Sequence, residues 1–141
     1  MVTLGDIKDA QARIAGRLHR TPMMGSSFLA SRAGAARFEL KCESFQKTGS
    51  FKVRGVLNRL SQLTGAERAR GVVTVSAGNH AQALAWGARD AGVRCTVVMP
   101  ALASRTKVDA SRGYGADVIQ DRKSTRLNSS HERLSRMPSS A

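Results

Sequence analysis

Residues 71–100 read GVVTVSAGNHAQALAWGARDAGVRCTVVMP, and this stretch decides the fold. Gly71-Val-Val-Thr-Val75 is a short apolar, β-branched run of the kind that forms a buried parallel strand. Ser76-Ala-Gly-Asn-His80 follows it, and Ala81, Leu84, Ala85 and Ala88 then define one helical stripe that Gly92 is placed to end. Arg94-Cys-Thr-Val-Val-Met99 repeats the strand signal and Pro100 breaks it. Ser104 to Arg112 reads as a helix, and Gly115 to Gln120 as a third strand. Strand, helix, strand, helix, strand with short connections predicts an α/β fold built on a parallel sheet with right-handed crossovers.

Upstream the signals are more mixed. Thr3 and Asp6 form a capping box with a shortened acid, and Leu4, Ile7, Ile14 and Leu18 share a helical face to about residue 18. Arg20-Thr21-Pro22 breaks that helix, because the residue before proline avoids helical backbone. Residues 36–43 alternate apolar and charged and predict a half-buried strand. After the polar turn Gln46-Lys-Thr-Gly-Ser50, Val53, Val56, Leu57 and Leu60 stand at helical spacing, with Ser50 as the expected N-cap.

Composition narrows the function classes. The chain has 141 residues, 41% of them hydrophobic, which suits one folded domain. No apolar run approaches the ~18 residues of a membrane span. The N-terminus lacks a basic-then-apolar leader, so a soluble cytoplasmic protein is expected. Cys42 and Cys95 stand far apart without CxxC spacing or a histidine cluster, which argues against a disulfide framework or a metal site and for two buried thiols. The net charge of +13 raises the question of nucleic acid. It is spread without a basic run, arginine dominates it, and a single Trp and a single Tyr supply no stacking platform, so no nucleic-acid partner is expected.

Two places carry candidate chemistry. Lys52 lies just inside a predicted helix N-terminus with Arg54 nearby. The helix dipole and a neighbouring cation both disfavour an ammonium, which suits a lysine to condense with an aldehyde. An ordinary surface lysine fits the same position. Ser76 to His80 joins the carboxyl end of a strand to a helix, where open α/β sheets bind ligands. Its amides and Gly78 could form an anion pocket, or Ser76 or Asn79 could simply cap the helix. One glycine and no G-x-G-x-x-G argue against a nicotinamide dinucleotide. His80 reads as a packed or capping residue or as a general base, and Lys41 and Glu43 as exposed charges.

Taken together, Thr48-Gly-Ser-Phe-Lys-Val-Arg-Gly55 and Ser76-Ala-Gly-Asn-His-Ala-Gln82 resemble the paired motifs of the serine/threonine dehydratases, a group that includes the serine racemases. Arg20-Thr-Pro22, Lys41 with Glu43, Val98-Met-Pro100, Lys107 and Tyr114-Gly-Ala116 also fall where that family has them, so the resemblance spans about residues 5–120. His-Ala-Gln after Asn79, in place of a Gly-Asn-Thr-Gly loop, favours the dehydratase branch over cysteine and threonine synthases.

The resemblance implies a type II pyridoxal-phosphate fold, here truncated, with Rossmann-like parallel-sheet layers. Residues 1–50 would belong to the larger domain and 51–120 would open the small α/β domain. Lys52 would bind the pyridoxal 5'-phosphate aldehyde and later shuttle the substrate α-proton. Asn79 would bond the cofactor's phenolic oxygen, and Phe51 would pack near it. Ser76, Gly78, Asn79 and His80 would cradle the carboxylate of a small amino-acid substrate. The implied reaction is elimination from L-threonine or L-serine to a 2-oxo acid and ammonia, by a homo-oligomer when full length. Alternatives are a serine racemase or another hydroxy-amino-acid lyase and, from another class, a non-catalytic amino-acid-binding module or a non-functional truncated product.

Two departures stand out. Ala83 takes a place where the family usually has glycine, and residues 83–141 hold nothing like its Gly-rich phosphate loop. Without that loop the 141-residue chain is expected to be inactive. The last 21 residues form a basic, serine-rich, aperiodic tail. Asp121 to His131 and Ser135 to Ala141 resemble a translated short-read sequencing adapter, so residues 121–141 are expected to be non-native or disordered.

Overall fold

The computed structural model describes residues 1–121; the expectation of a non-native or disordered tail lies, apart from Asp121, outside the described residues. The order is α1 (Leu4–Arg13), β1 (Met23–Gly25), α2 (Ser27–Ala33), β2 (Glu39–Lys41), a 3-10 turn (Glu43–Phe45), α3 (Lys52–Leu60), α4 (Gly65–Arg70), β3 (Val72–Val75), α5 (Asn79–Asp90), β4 (Cys95–Pro100), α6 (Arg105–Gly113) and β5 (Asp117–Asp121).

The three strands predicted from residues 71–120 form one parallel sheet in the order β3-β4-β5. Val72 pairs with Cys95 and Val75 with Val98, and Val98 in turn with Ile119. Cys95, Val97 and Met99 alternate into the core. There they meet the apolar faces of α3 and α5. Val53, Val56, Leu57 and Leu60 are all buried as the spacing predicts, and so are Ala81, Leu84, Ala85 and Ala88.

Several expectations need correction. β3 is not buried on both faces, since Val73 is 69% and Val75 60% exposed. The helices cover the face carrying Cys95, Val97 and Met99, and the other face of this edge strand remains open. The first helix stops at Arg13 rather than near 18, although Ile14 and Leu18 still pack on the core and Thr3 and Asp6 do form the capping box. The strand expected over 36–43 shrinks to three exposed residues, paired antiparallel with β1. Cys42 is only partly buried. Cys95 is buried, and burial followed by Asp117 pushes its thiol up to about 11. No helix among the described residues is long and apolar enough to cross a membrane.

Candidate active site

The site is set by how α3 and α5 meet. A Cβ added to Gly87 would lie 2.8 Å from Val56 Cγ1 and 3.2 Å from Leu60 Cδ1, so glycine there lets the two backbones approach. Seven residues upstream of Gly87, His80 is near enough to Lys52 to feel its charge. The helices therefore run in the same sense, and their N-termini, each a region of partial positive charge, lie together.

Neither start is capped by a side chain. α3 begins at Lys52 with Phe51 in the cap position, which corrects the assignment of Ser50 as N-cap. Ser50 Oγ is instead buried without a partner, as is Thr48 Oγ1 two residues earlier. Gly49 between them has φ +67°, a turn geometry that glycine takes without strain. The turn is anchored at Gln46: its Oε1 accepts from His19 N at 3.1 Å, and its Nε2 donates to His19 O at 2.9 Å. The Lys47 ammonium lies 5.5 Å from the centre of the Trp86 ring and ties the turn to α5.

Phe51 is exposed, and Lys52 Nζ lies 5.0 Å from the centre of its ring. Lys52 itself is half-buried. Ser76 extends the sheet by donating its N–H to Val98 O at 3.0 Å, and its buried Oγ accepts from Gly78 N at 3.2 Å. Ser76 thus shapes the loop and does not cap α5, whose cap residue is Gly78. Asn79 is exposed at the first helical position. His80 is partly buried; burial first and then Lys52 hold it below the ordinary histidine value. Sequence reasoning named Phe51, Lys52, Ser76, Gly78, Asn79 and His80. The start of α3 and the loop ahead of α5 bring all six to one end of the helix pair.

What it missed is the group behind Lys52. Arg54 donates to both oxygens of Glu43, from Nε at 2.8 Å and from Nη2 at 2.7 Å. Thr21 Oγ1 donates to Glu43 Oε1 at 2.6 Å, and Lys41 Nζ donates to Thr21 O at 2.6 Å. Lys41 is exposed as expected but hydrogen-bonded, Glu43 is partly buried and not the exposed charge expected, and Arg54's charge is paired. The hydrogen bonds from Arg54, helped by Thr21 and by Lys41's charge, hold the Glu43 carboxyl at about 2. A period-two strand pattern hid this, because it assigned Lys41 and Glu43 to a solvent face.

The comparisons agree with this geometry. The family model described as "Pyridoxal-phosphate dependent enzyme" matches residues 14–138. The L-threonine ammonia-lyase of Thermotoga maritima is 47% identical over 119 residues, which make up 84% of this chain and 29% of that protein. The catabolic L-threonine dehydratase TdcB of Staphylococcus aureus is 43% identical over 119 residues, 84% of this chain and 34% of its own. The chain thus spans about a third of the length of these relatives. Among solved structures, serine racemase from Dictyostelium discoideum matches with a TM-score of 0.78 and 45% identity, over 84% of this chain and 38% of that one. Maize serine racemase gives 0.77 and 40%, over 84% and 36%. With that family model matched over residues 14–138, the chain belongs to the pyridoxal-phosphate dependent enzymes.

Proposed function

We propose that these residues supply the lysine-bearing half of the active site of an ammonia-lyase acting on L-threonine or L-serine. The observation that carries this reading is the half-buried Lys52 at the meeting of two uncapped helix N-termini, beside the 76–80 loop. The residues present fit one end of pyridoxal 5'-phosphate: an amine for its aldehyde, helix ends that no side chain caps, and two buried hydroxyls, Thr48 and Ser50, without protein partners. When bound, the cofactor supplies an electron sink for the bond broken at the substrate α-carbon.

The chain's own residues account for substrate orientation and removal of the α-proton. Asn79 and His80, on the loop that Ser76 Oγ shapes by accepting from Gly78 N, orient the carboxylate of the amino acid at the positive end of α5. Lys52 Nζ, once released by the incoming amine, takes the α-proton. Phe51, whose ring centre lies 5.0 Å from Lys52 Nζ, packs near the cofactor.

A phosphate cradle is absent from the sequence after residue 82, so the activity is assigned to a longer chain; residues 1–141 alone bind the cofactor weakly and turn over no substrate. In that longer chain residues 1–50 belong to the larger domain and 51–120 begin the smaller one, in a soluble cytoplasmic homo-oligomer. The similarity to the Dictyostelium racemase supports a second reading, serine racemization at the same lysine. Assays of a chain of the relatives' full length for 2-oxo acid and ammonia from L-threonine, and for D-serine from L-serine, separate the two. Binding of L-threonine with neither product would reduce the protein to a binding module.

A further inference from the structure

We infer that Glu43 is a positioning residue for Lys52 and acts through Arg54. This rests on the reading of Lys52 as the aldehyde-condensing lysine. α3 has no acidic residue in its first turn and no side-chain cap. Glu43, eleven residues before Arg54, ties that first turn down from outside the helix. Its two oxygens take the Nε and Nη2 donors of Arg54, a planar two-point contact that fixes direction as well as distance.

Arg54 stands two residues after Lys52 in the same turn of helix. Holding its guanidinium therefore fixes the rotation of the turn from which Lys52 projects. The far side of Glu43 is held as firmly, because Thr21 donates to Oε1 and Lys41 pins the Thr21 carbonyl. The Glu43 side chain is only 16% exposed, and Arg54 34%, so solvent screens the pair less than an open surface pair. The segment 44–53 is thus closed by a side-chain clip, and Lys52 lies inside it, two residues before Arg54. Of the charged groups facing this clip, Lys41 and Arg54 are the cations and Glu43 is the anion.

The test uses a chain of the relatives' full length with pyridoxal 5'-phosphate as probe. Borohydride reduction and peptide mass mapping give the share of label on each lysine, and Trp86 fluorescence reports the packing of α3 on α5. Glu43→Gln should lower the Lys52 share about tenfold or more, with Trp86 emission and labelling elsewhere unchanged. Arg54→Met should do the same, and the double variant should lose no more than either single one, because both act through one contact. Wild-type Lys52 labelling in folded Glu43→Gln, or additive losses in the double variant, would overturn the inference. If Glu43→Gln does not fold, Thr21→Val decides: it removes one hydrogen bond to Glu43 and should cost about two- to threefold, whereas an unchanged share rejects the clip. Failure of the wild-type chain to label Lys52 preferentially would reject the functional reading itself, a distinct result.

Discussion

Gly87 of α5 lies so close to Val56 of α3 that a single added carbon would stand 2.8 Å from Val56 Cγ1. Val56 is β-branched and has little rotamer freedom in a helix, so it cannot turn aside easily. Gly87→Ala should destabilise the fold by about 1–2 kcal/mol, overpacking outweighing the gain in helix propensity. A lower urea midpoint checks this, and the variant should also lose part of its Lys52 selectivity as the helix starts separate. A stabilised variant would show that α3 and α5 can move apart freely.

Ser50 and Ser76 make a contrasting pair. Both are buried, but Ser50 Oγ has no partner while Ser76 Oγ accepts from Gly78 N. Ser76→Ala should cost about 0.5–1.5 kcal/mol. Ser50→Ala should leave ligand-free stability unchanged or raise it, because no hydrogen bond is lost. Thermal midpoints measured side by side test this, and equal losses would mean that Ser50 does brace the turn.

Glu43 gives a dependence on pH of definite sign. Its carboxyl falls from an ordinary value of 4.5 to about 2 in the folded chain, so the folded state favours the ionised form. That contribution is complete above about pH 4.5 and disappears as the pH falls through about 2. Glu43→Gln should be less stable than wild type at pH 7, and the gap in urea midpoint should close over that window. A gap that is constant from pH 7 to pH 2 would show that Glu43 acts by packing alone.

Asn79 is exposed at the first position of α5 and makes no cap, so its loss should spare the fold. In a chain of the relatives' full length, Asn79→Ala should keep some cofactor but slow turnover by ~10²–10³, the usual worth of one well-placed donor in an active site. Wild-type rates in that variant would remove Asn79 from the site.

The extent to which the sequence could be read follows physical lines. β3 to β5 were legible because β-branched runs, a helical stripe and punctuating Gly and Pro residues all agree over residues 71–120. Lys52 and Asn79 were legible only as a pair, since each alone fits a surface lysine or a cap. α4 escaped notice although Thr64 and Glu67 carry a capping box, because six residues show too little periodicity. α2 is only one residue longer, and Ser26 caps it by accepting from Leu29 N. The Glu43–Arg54 clip was not legible at all. Its partners come from Thr21, Lys41, a 3-10 turn and a helix, and no local pattern records such a meeting.

The central claim is that the fold singles out Lys52 from the other lysines, and reduction of a pyridoxal 5'-phosphate mixture followed by peptide mapping tests it most directly. Exposure alone would favour Lys8 and Lys47 over half-buried Lys52. If the uncapped helix starts and the 76–80 loop form the site, Lys52 carries most of the label at limiting probe, and Lys52→Ala removes that label without redistributing it. Label spread over the lysines in order of their exposure, with Lys52 among the least modified, would contradict the account.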